Sequence, residues 1–165
     1  MANKSSAALT ARDAAPSQTN STQASTKVAT GRVKESIGAI AIDNAEAIGS
    51  VLRFFSVHSS WRVSEILLFC TAITTCAADI GLHDLPNVNA GAAVDADLFA
   101  TAQSLAAALD GTNVLREATT ITIPNLDKPV WALLGLAADP GKWYDVTATL
   151  TAAAGSTGNV ALKGR

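Results

Sequence analysis

The sequence predicts an all-β protein, an antiparallel sandwich or barrel of about eight strands with one short helix. From about Val33 onward, short apolar segments recur along the chain, and turn signals separate them roughly every eight to twelve residues. Residues 144–151 alternate apolar and polar side chains, which is typical of a strand with one buried face. At 165 residues the chain can bury a core without disulfide or metal support.

The N-terminal segment is expected to be a flexible arm. Of residues 1–30, ten are serine or threonine and eight are alanine, and large aliphatic residues are rare. Such a segment buries too little apolar surface to offset the entropy lost on ordering. We therefore divide the chain into an arm, residues 1–32, and a folded domain, residues 33–165. The net charge is +3 through Ser36 and −5 over the remainder, so the arm is either a solvated tail or a segment that docks on an acidic neighbour.

The first half of the domain predicts four strands, because its apolar segments are rich in β-branched and aromatic residues. These segments are residues 37–42, 51–57, 61–69 and 78–82. The sequences Gly49-Ser50 and His58-Ser59-Ser60 supply turn residues between them.

Residues 95–109 break the strand pattern and predict the helix. Four apolar residues fall at helical spacing: Leu98, Ala102, Leu105 and Leu109. Asp95 and Asp97 suit the positive end of a helix dipole, and Gly111 stands just past the predicted C-terminus.

The second half predicts strands over residues 112–123, 130–138, 144–151 and 160–162. Residues 139–142, Asp-Pro-Gly-Lys, predict a tight turn, since proline presets φ and glycine accepts a positive φ. The last two strands, joined by a glycine- and serine-containing loop, predict an antiparallel hairpin.

Two of the predicted strands are apolar on both faces, whereas an antiparallel strand with one wet face should alternate. In residues 66–70 and 131–136 neither alternate set of side chains is polar. Either these strands lie under loops or their outer face meets another chain. The second reading predicts a homo-oligomer, most simply a dimer. The candidate interface residues are Trp131, Leu133, Leu134, Leu136, Trp143, Leu67 and Phe69.

A search for chemistry predicts no catalytic residue, no metal site and no cofactor. His58 and His83 have no second ligand at metal-site spacing and are expected at the surface. Cys70 and Cys76 are not spaced as a zinc knuckle and are read as small buried hydrophobic residues. Asp95 and Asp97 lack the further oxygen ligands of a calcium loop.

Several function classes are disfavoured by composition. No nucleophile elbow, phosphate loop or dinucleotide fingerprint occurs, which argues against an enzyme. The net charge of −2 and the lack of a basic, aromatic-interleaved stripe argue against nucleic-acid binding. The apolar run 66–78 is thirteen residues, shorter than a membrane span. No secretory signal is present in the sequence, so we expect synthesis in the cytosol.

Three segments resemble virion proteins of tailed bacteriophages: residues 78–82 (ADIGL), 91–100 (GAAVDADLFA) and 144–154 (YDVTATLTAAA). The resemblance covers about residues 35–165 and leaves out the arm. The best-understood members of that group are capsid cement, or decoration, proteins. The resemblance therefore implies a jelly-roll β-sandwich on the outer surface of the virion, with the major capsid protein as its partner. It implies no catalytic residue and does not identify the surface that grips the shell.

Two alternatives to a cement protein remain. One is another minor head or fibre protein of the virion. The other is a carbohydrate-binding sandwich that uses Trp61, Trp131 and Trp143 as a stacking platform, although tryptophans more often anchor cores and interfaces. A hydrolase is a third class, but no set of residues supports it.

Overall fold

The computed structural model describes residues 33–165; the predicted arm, residues 1–32, lies outside the described residues. The all-β prediction is confirmed, because eight strands form two four-stranded antiparallel sheets. The strands are β1 Ser36–Ile42, β2 Val51–His58, β3 Ile66–Cys70, β4 Ala77–Asp84, β5 Ala93–Ser104, β6 Leu109–Asn113, β7 Trp143–Ala152 and β8 Gly158–Gly164. A short helix, α1, spans Val130–Leu133, and two single 3-10 turns span Asn89–Gly91 and Ile123–Asn125.

The strand order is that of a jelly roll. The first sheet runs β1-β8-β3-β6 and the second runs β2-β7-β4-β5. The pairs are nested in sequence: the first strand pairs with the last, and so on inward to β4 with β5. This is the pattern of a long antiparallel hairpin rolled into two sheets. It gathers the β2–β3, β4–β5 and β6–β7 connections at one end of the sandwich, here called the terminal end, where β1 begins and β8 ends.

The core lies between the two sheets and follows the period-two alternation of the strands. The inner residues of β3 and β8, among them Ile66, Leu68 and Leu162, are fully buried. They face inner residues of the second sheet such as Leu82 and Val146. The outer residues of the same strands are therefore the ones left to meet solvent or a partner.

The predicted helix over residues 95–109 is wrong, since this segment belongs to strand β5. Leu98, Phe99 and Ala100 are buried in succession, a pattern with neither a helical nor a strand period. It arises from a bulge, because Ala100 pairs with Ile80 while Asp95 pairs with Leu82, only two residues further on. The bulged backbone packs against β4 at Gly81, where a Cβ atom would overlap it. Asp95 and Asp97 are thus strand residues and not helix-start residues.

The predicted strands over 112–123 and 130–138 are also wrong. Strand β6 ends at Asn113, and a long connection follows. After Pro129, residues 130–134 turn into α1, closed by a bond from the Leu134 N–H to the Val130 carbonyl (3.1 Å). The apolar character on both alternate sets of residues 131–136 therefore belongs to a helical turn and its exit, not to a strand with two apolar faces.

The two C-terminal strands are confirmed, but the hairpin between them is wrong. Strand β7 lies between β2 and β4, whereas β8 lies between β1 and β3 in the other sheet. The two sequences alternate because each strand turns its apolar side to the same core from opposite sides, which the sequence cannot distinguish from direct pairing. The polar side of β7 is also covered at Asp145 and Thr147. At residues 139–142 the positive φ expected of Gly141 is present (+63°), and its N–H donates to Asp139 Oδ1 at 2.9 Å. The predicted tight turn is not formed, because the Lys142 N–H donates to Ser59 Oγ (3.2 Å) instead of closing a turn onto Asp139.

Candidate interaction surfaces

The outer face of the first sheet is largely apolar. Ile37, Ala39 and Ala41 on β1 are exposed, and the Ile37 side chain is 68% exposed. In register beside them lie Ala161 on β8 and Leu67 and Phe69 on β3, all half-buried. We call the six residues Ile37, Ala39, Ala41, Leu67, Phe69 and Ala161 the sheet face. It is a flat surface of a folded sheet, so its side chains are held in place before any partner arrives.

One charged residue, Lys163, lies in register with the sheet face, and its ammonium group bends toward the edge of the sheet. Lys163 lies between Ile37 and Leu67, but its ammonium group pairs with Glu35 at 3.1 Å. Arg165 also binds Glu35, at 2.8 Å. These two cations lower the pKa of Glu35, first through the Arg165 hydrogen bond and then through that of Lys163. The charged groups therefore form a rim, and the centre of the sheet face stays apolar.

A second surface, at the terminal end, consists of three rings that we call the aromatic cluster: His58, Trp61 and Trp143. Trp143 begins β7 and pairs across the sheet with His58, the last residue of β2. The Trp143 ring centroid lies 4.9 Å from that of Trp61 and 5.3 Å from that of His58, both in edge-to-face geometry. Trp143 is nonetheless 44% exposed. Trp143 is therefore a partly exposed ring that two neighbouring rings hold in place.

Backbone hydrogen bonds fix the chain segments that carry the aromatic cluster. The Ser59 N–H donates to the Lys142 carbonyl at 2.8 Å, which ties the end of β2 to the start of β7. The Val130 N–H donates to the Trp61 carbonyl, also at 2.8 Å, which seats α1 against the same turn. His58 and Trp143 thus stand on strand ends, whereas Trp61 stands on the β2–β3 connection, which these bonds anchor.

Polar contacts hold the chain just before β7. Asp139 accepts hydrogen bonds from the Ser59 hydroxyl and the Gly141 N–H, and the Ser59 bond is the main cause that lowers the pKa of Asp139. Lys142 binds Asp84 at 2.9 Å, and this hydrogen bond raises the pKa of Lys142. These contacts tie residues 139–142 to the β2–β3 connection and to the end of β4.

The predicted interface residues divide between these two surfaces. Leu67 and Phe69 lie on the sheet face. The others lie at the terminal end, either on α1 and its exit or at the start of β7: Trp131, Leu133, Leu134, Leu136 and Trp143. Leu133 and Leu134 pack partly against the core, whereas Leu136 is 40% exposed. The structure therefore does not unite the seven residues in one patch.

A buried polar cluster that no sequence pattern predicted lies on the outer side of the second sheet. The Arg53 guanidinium binds Asp145 Oδ2 at 3.0 Å and donates to the carbonyls of Asp84 and Gly91, both at 2.9 Å. Ser56 donates to the other Asp145 oxygen at 2.6 Å. Arg53 therefore ties the β4–β5 connection to the sheet.

His83 belongs to the same side of the sheet, and its predicted surface position is wrong. Its side chain is only 4% exposed, and its Nδ1 lies 2.8 Å from Thr147 Oγ1. The strand β4 extends to Asp84 and runs between β7 and β5, so its end is covered where the sequence predicted a strand terminus. Burial lowers the pKa of His83, and the nearby Arg53 charge lowers it further.

The cysteines match their predicted role. Cys70 and Cys76 are buried and free, and burial raises the pKa of both thiols. Within residues 33–165, no group of three or more histidine, cysteine or acidic residues could hold a metal ion. No helix in that part of the chain is long and apolar enough to span a membrane.

Comparison with known proteins gave one structural likeness. No family model matches the chain, and no curated protein matches it in sequence. A chain of a solved structure described as "Cyanophage Pam1 capsid asymmetric unit" is similar to it with a TM-score of 0.47 and 16% identity, covering 90% of this chain and 97% of that one. A likeness of this size assigns no role to any residue.

Proposed function

We propose that this chain is a virion structural protein of a tailed bacteriophage. More specifically, we propose a capsid cement protein that binds the outer surface of the shell built by the major capsid protein. The observation that carries the proposal is the sheet face, an exposed apolar surface preformed on a folded domain, because such a surface is typical of a protein that works by contact with other chains. The proposal gives the chain no catalytic residue and no cofactor.

The resemblance to phage virion proteins supports the kind of partner. Its three segments fall in β4, at the start of β5 and in β7, which are neighbours in the second sheet. They therefore share the architecture of the sandwich and not the sheet face, which lies on the other sheet. This agrees with a scaffold that is held in common while the sheet face differs.

The proposed mechanism is thermodynamic linkage. A protein that binds the assembled shell, but not the separated subunits, stabilises the shell by about 2.7 kcal/mol per site at a hundredfold excess over Kd. Since the sites repeat over the particle, a modest affinity at each site adds up to substantial resistance against the pressure of packaged DNA.

We further propose that the sheet face contacts a second copy of this chain. The three strands that carry the sheet face, about 4.8 Å apart and five residues long, cover roughly 250 Å2, whereas a stable interface needs about 800 Å2 per partner. A pair held by the sheet face alone is therefore weak in solution. On the shell, attachment of both copies raises their effective concentration and completes the pairing.

The experiment compares phage particles with and without the protein. Purified virions should contain a band near 16.8 kDa that rivals the major capsid band, and particles that lack it should release DNA at a lower temperature. Adding back the protein should restore the release temperature. Addition of Phe69→Asp, which places a charge in the sheet face, should restore less than Thr151→Asp, a control at an exposed position on the other sheet. An unchanged release temperature in particles without the protein refutes the cement role, and a trace-level band assigns it to a minor head or fibre component instead.

A further inference from the structure

We propose that Arg53, Asp145 and His83 form a proton-operated latch, which holds the β4–β5 connection closed at neutral pH and releases it in acid. The latch lies on the outer side of the second sheet, so the proposal rests neither on the sheet face nor on the cement role. It starts from two observations: the backbone of the connection is strained, and one guanidinium group fastens the connection to the sheet.

The β4–β5 connection contains three consecutive residues in the left-handed backbone region. Asn89 and Ala90 both have a φ of +50°, and Gly91 has a φ of +68°. Glycine adopts this region freely and asparagine at a small cost, but an alanine there is strained. Residues 86–90 are also exposed, so they gain little from burial. The connection therefore needs other contacts to keep its shape.

Arg53 supplies those contacts from the neighbouring strand β2. Its Nη1 donates to the Asp84 carbonyl and its Nη2 to the Gly91 carbonyl, both at 2.9 Å. A Cβ atom at position 91 would overlap Nη2, so the glycine also leaves room for the guanidinium. The Asp145 carboxylate in turn binds Nη1 at 3.0 Å and orients the group. Closure of the connection thus depends on Arg53, and the position of Arg53 depends on Asp145.

His83 lies where a proton would disturb this arrangement. It stands directly opposite Asp145 in the register of β4 and β7, and its side chain is almost fully buried. The charge of Arg53 lowers the pKa of His83, after burial, and that of Asp145 raises it, so both groups are near the ring. A proton on His83 would place a second cation beside Arg53 and give the Asp145 carboxylate a rival partner.

The other ionisable groups near this part of β4 and β5 already have partners: Asp84, Lys142, Asp95 and Asp97. The first two bind each other at 2.9 Å, and the last two share a hydrogen bond. The β5 residue opposite His83 is Ala93, which carries no charge. Among the described residues, Asp145 is therefore the carboxylate in register with His83 that can balance a proton there, and it does so at the expense of Arg53.

The direction of the response follows from proton linkage. Opening of the connection admits water to His83, so its pKa returns toward the ordinary value of 6.5. Below that pH the open form binds a proton that the closed form resists, and acid shifts the equilibrium toward the open form. The strain at Ala90 is relieved in the same direction. Because the core lies between the sheets, this opening is local and leaves the sandwich folded.

Hydrogen exchange measured by mass spectrometry tests the latch in the full chain at about pH 7.5 and about pH 5.5, after correction for intrinsic exchange rates. We expect the open population of residues 85–92 to rise about threefold or more at the lower pH. Residues 71–76, the connection at the opposite end of the sandwich, should not change. His83→Gln should abolish the rise, whereas His58→Gln, the matched control at the other histidine, should keep it. Arg53→Lys should increase exchange in residues 85–92 at both pH values.

If His83→Gln fails to fold, the imidazole NMR signals of the unsubstituted protein replace it, because the rise in exchange should follow the titration of His83 and not that of His58. The latch is overturned by the absence of a rise at the lower pH, or by a rise that persists in His83→Gln or follows His58. An equal rise in β3 and β8 also overturns it, because acid would then loosen the whole sandwich and not one connection.

Discussion

Replacement of Arg53 by alanine should destabilise the fold strongly, although the residue lies at an edge strand. Its guanidinium satisfies three acceptors in different elements: Asp145 on β7 and the carbonyls of Asp84 and Gly91. Asp145 is only 8% exposed, and without Arg53 it keeps Ser56 as its described side-chain partner. The two carbonyls lose a charged donor at the same time.

The magnitude follows from the burial of the two partners. Removing one member of a fully buried ion pair costs about 3–5 kcal/mol. The Arg53 side chain is 28% exposed, so water can partly replace it. We therefore expect a loss of about 2–3 kcal/mol in the free energy of unfolding, or roughly 6–10 °C in Tm for a domain of this size. The loss for Arg53→Lys should lie between zero and the loss for Arg53→Ala, because an ammonium group lacks the planar fork that reaches all three acceptors.

Urea unfolding followed by circular dichroism measures the loss, and Arg165→Ala serves as the control because its ion pairs are exposed. A double-mutant cycle with Asp145→Asn should show coupling between the two residues. Hydrogen exchange in Arg53→Lys should quicken first in residues 85–92, because Arg53 ties that connection to the sheet. An Arg53→Ala protein that unfolds within about 1 kcal/mol of the unsubstituted protein refutes this reasoning.

Three further predictions concern buried positions. Because the pKa of His83 in the folded protein is lowered from 6.5, the unfolded chain binds more protons below that pH, so the free energy of unfolding should fall as pH drops from 7.5 to 5.5. In His83→Gln the urea midpoint should depend less on pH over this range. An unaltered pH dependence contradicts the assignment of this effect to His83. Gly81→Ala should lower the free energy of unfolding by about 2 kcal/mol or more, because the added Cβ overlaps the β5 backbone. An unchanged urea midpoint would show that β5 can shift at little cost. Cys70 and Cys76 should react with a thiol reagent only at the rate of unfolding; rapid labelling of the native protein would show that they are accessible.

The sequence was most informative where one local signal dominated. Strand β7 could be predicted because the apolar and polar residues of its sequence alternate without interruption, and the positive φ of Gly141 because glycine accepts that backbone conformation. The interior of β5 could not, because Leu98, Ala102 and Leu105 mimic a helix while a bulge actually places three successive residues in the core. Local periodicity carries no information about a bulge, which exists only against its partner strand.

The candidate surfaces also differ in whether one strand or the pairing of distant strands forms them. The apolar face that Leu67 and Phe69 suggested is present, because alternate residues of one strand share a face. The aromatic cluster joins residues 58, 61 and 143, and its assembly depends on the pairing of β2 with β7. Arg53 and Asp145 are ninety-two positions apart and meet for the same reason. No spacing in the chain points to either meeting.

The nested pairing of strands has a consequence for how the chain is made. During synthesis, β1 and β3 emerge long before β8, which must lie between them, and β2 and β4 wait in the same way for β7. Neither sheet can close until residues 143–165 have left the ribosome, so the native sandwich forms late and on the slower, millisecond-to-second scale of non-local β topologies. Until then the nascent chain carries unpaired strand edges that invite aggregation. Each copy therefore depends on β7 and β8, and a nonsense codon within either strand should yield insoluble protein rather than a weakened one.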